Sequence, residues 1–117
     1  MDFEIQVEHR DGLLTLTATG QWSLQKAKSL IDRAAVECEE HSSGRVLVDC
    51  LSIEIDGRVL EYERYVLGGY ILEKLRGVRL AVLFPPDQIN RFAQNIVRGG
   101  GSAMLVTSDR DEALLWL

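Results

Sequence analysis

The chain reads as an α/β protein: a mixed, mostly parallel sheet of about five strands with an antiparallel N-terminal hairpin and four helices, in the order ββαβαβαβα. Three observations predict this. The first twenty residues alternate apolar and polar side chains around an Asp11-Gly12 pair. Two later runs, Val46-Leu47-Val48 and Val78 to Phe84, are apolar with little alternation, the pattern of strands covered on both faces. Between and after them lie segments with apolar residues at steps of three and four, the period of a helix with one buried face.

In the hairpin, Phe3, Ile5 and Val7 alternate with Glu4, Gln6 and Glu8, and Leu14, Leu16 and Ala18 alternate with threonines. Asp11-Gly12 supplies a tight turn, since glycine accepts positive φ without steric cost. Gly20-Gln21-Trp22 connects to a helix that Ser23 can cap. Leu24, Ala27, Ile31, Ala34 and Cys38, with Leu30 and Ala35 beside them, form its apolar stripe to about His41. Ser42-Ser43-Gly44 breaks it. The spacing predicts a second helix from Arg58 to Arg76, ended by Gly77. Pro85-Pro86 suits the start of a third, where a missing N–H costs nothing. Ile89, Phe92, Ala93, Ile96 and Val97 give that helix its face, and Gly99-Gly100-Gly101 stops it. Ala103 to Val106 is the last strand, and Ser108 or Asp109 caps a final helix.

With 117 residues, 46% of them hydrophobic and 26% charged, the chain makes one domain, 1–117, able to build a core without disulfides or metals. A net charge of −5 argues against nucleic acid as a partner, because phosphate contact needs a basic patch. No run of about 18 apolar residues suggests a membrane span, and the acidic, alternating N-terminus is unlike a signal peptide. Cys38 and Cys50 sit in apolar patterns without metal-type spacing and read as buried free thiols of a cytoplasmic protein.

The element order, together with Arg45-Val46-Leu47-Val48-Asp49, Glu63-Arg64-Tyr65-Val66-Leu67-Gly68 and Glu112-Ala113-Leu114-Leu115-Trp116-Leu117, resembles the STAS domain, and within it the small stand-alone SpoIIAA-like branch. The resemblance covers nearly the whole chain. It implies a protein-interaction switch controlled by phosphorylation of a serine at the start of the second helix. Here the matching loop is Ser52-Ile53-Glu54-Ile55-Asp56-Gly57-Arg58. No serine follows Asp56, so the loop departs from the family pattern, and Ser52 is its only hydroxyl. Related folds that hold apolar ligands imply a second possibility, a small lipid-like ligand.

Ligands of open α/β sheets collect beyond the carboxyl ends of the strands. The loops meeting there carry Trp22, Asp49 to Asp56, Phe84-Pro85 and Thr107-Ser108. Glu54, Asp56, Asp109 and Asp111 already supply negative charge at the nearby helix starts, which disfavours a nucleotide. Glu54 and Asp56 lie on one short loop and do not make an acid–base pair around a substrate. His9 and His41 stand beside no nucleophile, and the three glycines follow a helix rather than a strand, unlike a phosphate loop. No enzyme activity and no cofactor is expected.

The second helix is the most informative element. Val59, Tyr62, Val66 and Tyr70 trace one apolar stripe, and Leu60, Leu67, Ile71 and Leu75 a neighbouring one, wider together than one buried face requires. Its charge is expected on Glu61, Arg64, Glu73 and Lys74. Gly68-Gly69 suggests a kink or the close approach of another backbone. The expected function is a non-catalytic binding or regulatory module acting through this helix and the acidic loop before it. Its partner would be another protein or a second copy in a homodimer. The interaction or ligand surface is expected on Trp22, Asp49, Ser52, Glu54, Asp56, Arg58, Tyr62, Tyr65, Val66, Gly69, Tyr70 and Phe84. The alternative is a carrier or sensor of a small apolar ligand between this helix and the sheet, lined by Trp22, Phe84 and Tyr62.

Overall fold

The structure is a computed structural model and describes residues 2–117. The alternating N-terminal segment forms β1 (Glu4–Arg10) and β2 (Leu13–Gln21), paired antiparallel with Val7 opposite Leu16. Asp11 and Gly12 both take positive φ, 53° and 78°, which is what a two-residue turn needs to follow the twist of its strands. Leu14, Leu16 and Ala18 point into the core while Gln6 and Glu8 face solvent. Ser23 caps α1 (Leu24–His41), its hydroxyl accepting from the Lys26 N–H at 3.1 Å. The apolar runs become β3 (Arg45–Asp49) and β5 (Arg79–Leu83), and the last strand is β6 (Ala103–Thr107).

The sheet order is β1-β2-β3-β5-β6, with only β1 antiparallel to its neighbour. A two-residue strand, β4 (Ile53–Glu54), runs parallel to the end of β2 and adds to the expected five. Beside β2 it takes up the line of β3, but the pairing offset has grown by one residue. The turn at Cys50-Leu51-Ser52 thus acts as a bulge, and it delivers Ile53 into the core.

Three helices cover one face of the sheet: α1, α2 (Glu61–Lys74) and α3 (Phe92–Gly99). Leu14, Leu16, Val46, Val48, Leu80 and Met104 pack against Leu30, Ala34, Ile71 and Val97 there. Each large side chain buried in this way contributes roughly 1.5–3 kcal/mol. One helix, α4 (Arg110–Trp116), covers the other face, where Leu47, Ala81 and Leu83 meet Ala113. Asp109 caps α4 by accepting from the Asp111 and Glu112 N–H groups. Across the opposite end of the sheet, the Arg45 guanidinium donates to the Asp11 carbonyl at 3.0 Å and to the Leu117 carbonyl at 3.3 Å.

Two boundaries differ from the sequence expectation. The second helix begins at Glu61 and ends at Lys74, within the predicted Arg58–Arg76 span. Gly57 has φ of 75°, and the Val59 N–H donates to Gln88 Oε1 at 3.0 Å, which holds this stretch extended until Leu60. Val59 is therefore a buried loop residue and not part of a helical stripe. The third helix is divided: a single 3₁₀ turn at Pro86–Gln88, an extended Ile89, then α3, whose start is set by Asn90 Oδ1 accepting from the Phe92 N–H at 3.0 Å.

Candidate functional site

The N-terminal end of α2 is organised by buried polar groups. Leu60 has no side-chain oxygen with which to cap the helix, and Glu63 compensates: its Oε1 accepts from the Leu60 N–H at 2.9 Å and its Oε2 from the Trp22 indole N–H at 3.3 Å. Gln88 holds the approach to the helix, accepting from Val59 and donating to the Gly57 carbonyl at 2.8 Å. Arg64 follows Glu63 inward and donates through Nη2 to the Gln88 carbonyl. Its Nε is buried with no acceptor. Burial pushes the Arg64 guanidinium below its ordinary pKa, and the neighbouring Glu63 charge opposes that shift. Arg64 was expected among the outer charges of the helix; it is instead 9% exposed, because Gln88 offers it an acceptor inside.

The solvent side of the same helix is apolar at its start. Leu60 is 51% exposed, Tyr62 61% and Tyr65 64%. Tyr65 lies 6.4 Å, ring to ring, from Phe92 of α3, and Val66 is half-buried. The glycine pair divides in role. A Cβ on Gly68 would lie 3.0 Å from Ile96 Cβ and 3.3 Å from the Ala93 carbonyl oxygen, so Gly68 is where α3 packs closely. Gly69 faces open space. Tyr70 is turned toward α1: its hydroxyl meets Asp32 Oδ1 at 2.5 Å, and this bond raises the phenol pKa.

Between α2 and the sheet lies a cavity of about 100 Å³. Its wall is almost wholly apolar and includes Trp22 and Phe84, whose rings meet edge to face at 5.9 Å, together with Leu30, Ile71 and Met104. Arg64 and Asn90 are its polar members. Tyr62, expected as lining, points to solvent and is not part of the wall.

The acidic residues do not converge. Asp49 is buried and turned toward α4, where it pairs with Arg110 and accepts from the Leu51 N–H at 3.0 Å. Ser52, Glu54, Asp56 and Arg58 are exposed along the loop leading to α2. Among the described residues there is no group of three or more His, Cys, Asp or Glu side chains that could hold a metal ion, and no helix is long and apolar enough to cross a membrane. Cys38 and Cys50 are free and buried; burial, aided by the Asp49 charge, pushes the Cys50 thiol up to about 12. His9 and His41 stack on each other at 4.5 Å.

Of the residues expected from the sequence, Trp22 and Phe84 are in contact, and Glu63 and Gln88, which organise the start of α2, were not among them. The one available signal was the spacing from Leu60 to Glu63, the second half of a capping box whose first half, a Ser or Thr, is absent.

No family model matches the chain, and no curated protein matches it by sequence. Solved structures do match over almost the full length. The unphosphorylated anti-sigma factor antagonist SpoIIAA is 10% identical with a TM-score of 0.53, covering 95% of this chain and 94% of its own. An uncharacterised DUF3478-family protein of SpoIIAA-like fold from Shewanella loihica PV-4 is 17% identical with a TM-score of 0.53, covering 99% of this chain and 94% of its own. The fold is SpoIIAA-like, as the sequence resemblance implied.

Proposed function

We propose that this chain is a non-catalytic regulatory module that works by protein–protein contact, through the outward side of α2 and the acidic loop before it. The observation that carries this reading is the cluster of Leu60, Tyr62 and Tyr65 in solvent at the start of one helix. Large amphipathic rings of this kind form the centres of protein interfaces. Ser52, Glu54, Asp56 and Arg58 would form a charged rim beside them, the usual surround of such a patch. Val66 and Gly69 extend the surface along the helix. The likeness in fold to an anti-sigma factor antagonist, itself a protein acting on another protein's regulator, supports the same class of role.

Self-association through this patch is tested by light scattering at micromolar concentration. The wild-type chain is expected above monomer mass, and Tyr65→Glu is expected to return it to monomer without loss of fold. A wild-type monomer whose captured protein partners are unchanged by Tyr65→Glu would remove the reading.

A second reading, a carrier or sensor of a small apolar ligand, is favoured by the cavity beneath α2 with Trp22 and Phe84 in its wall.

A further inference from the structure

The two outer strands of the sheet are built differently. β1 carries Glu4, Glu8 and Arg10, charges that discourage another chain from pairing along it. β6, at the other end of the sheet, has none: from Ser102 to Ser108 the chain holds no charged residue and no proline. A short, uncharged, apolar run of this kind readily pairs edge to edge with copies of itself. Its backbone is not left open, however. The Met104 carbonyl accepts from Arg98 Nε at 2.8 Å, and the Val106 N–H donates to Gln94 Oε1 at 2.8 Å. Gln94 is 3% exposed, so its bond is shielded from water.

The spacing of these bonds is that of a strand. In a parallel ladder, one residue of a neighbour donates its N–H to the carbonyl of residue i and accepts from the N–H of residue i+2. Met104 and Val106 stand in that relation, while the Thr107 carbonyl turns the other way and accepts from the Phe84 N–H at 3.0 Å. Gln94 and Arg98 lie four apart on α3, on one helix face, and supply the matching acceptor and donor. Arg98 is exposed and so also places a charge at an edge that has none of its own.

We propose that Gln94 and Arg98 stand in for one residue of an absent neighbouring strand and thereby keep β6 from pairing with β6 of a second copy. A second copy is the chain excluded because nothing on this strand repels its own twin. The surface is separate from the α2 patch and the inference does not depend on it.

The test places Gln94→Met and Arg98→Met in the Tyr65→Glu chain, where α2 adds no association. Its mass by light scattering is expected to at least double between about 10 µM and about 1 mM, while Tyr65→Glu alone stays monomeric. Adding Ala103→Glu, whose carboxylate would sit in register with Arg79 of β5, is expected to restore the monomer by charging the opened edge. A folded variant that stays monomeric overturns the proposal; faster exchange of its Val106 amide would then assign the two bonds to stability alone. Association that Ala103→Glu does not reverse also overturns it, since another surface is then at work. If the combined variant does not fold, Arg98→Met alone decides by the same measurement, with a concentration-dependent rise in mass expected and a strict monomer overturning the proposal.

Discussion

Along α2, the side turned to the sheet and to α3 buries Glu63 and Arg64 among Leu67, Gly68 and Ile71, while the side turned to water carries Tyr62 and Tyr65. Hydropathy alone would exchange these pairs. The difference shows that hydrogen-bond supply, as well as apolarity, decides which residues of this helix face inward. Glu63 goes in because the Leu60 N–H and the Trp22 indole both need an acceptor there. Arg64 goes in because the segment around Gln88 presents a carbonyl. Where α3 comes closest, a Cβ on Gly68 would meet Ile96 and the Ala93 carbonyl, while Tyr65 stays exposed with its ring 6.4 Å from Phe92.

Gln88 should break the contrast most strongly. Its side chain is the sole partner described for the buried Val59 N–H and also holds the Gly57 carbonyl. Gln88→Ala is expected to lower stability by about 2–3 kcal/mol, the cost of an orphaned buried donor plus a lost bond, read as a fall in the urea midpoint. The loosened start of α2 should also free Arg64, detectable as faster exchange of its side-chain protons.

The glycine pair sharpens the contrast with opposite signs. Gly69→Ala is expected to stabilise by about 1 kcal/mol, since helix propensity gains and nothing is met. Gly68→Ala gains the same propensity but pushes Ile96 and the Ala93 carbonyl, and is expected to destabilise by about 1–2 kcal/mol net. Thermal melts of the two variants decide it; equal melting temperatures would mean that α3 does not pack where described.

A smaller effect concerns pH. Cys50 is raised to about 12 in the fold from an ordinary 9.0, first by burial and then by Asp49. Its neutral thiol is favoured in the folded state, so its contribution is whole below pH 9 and is lost as pH rises from there toward 12, where the unfolded chain has released the proton and the folded chain has not. Urea midpoints of the wild type should therefore fall more between pH 8 and pH 10 than those of Cys50→Ala. Alkylation of the folded chain at pH 8 should be slow at this position.

Much of the fold was legible because its signals are local. Alternation around Asp11-Gly12, the hydroxyl of Ser23 and the unbroken apolar runs of β3 and β5 each report on neighbours in sequence. The start of α2 was not legible, because Val59 is kept out of the helix by Gln88, a residue 29 positions away. The pairing of Asp49 with Arg110 spans 61 positions and is equally invisible to periodicity. β4 is two residues long, shorter than any alternation can register. Of the site, Trp22 and Phe84 were placed together because both end strands at the same sheet edge. The inward turn of Arg64 was not foreseen, since a charged residue on a helix gives no sign that an acceptor awaits it inside.

Arg45 has a consequence for how the molecule comes apart. One guanidinium grips the hairpin turn at Asp11 and the Leu117 carbonyl beyond α4, so the hairpin and the end of α4 share an anchor on a central strand. Loss of this anchor is expected to loosen both at once. Amide exchange in the hairpin and in α4 should accordingly speed up together in Arg45→Ala, although 88 residues of sequence, 22–109, separate them.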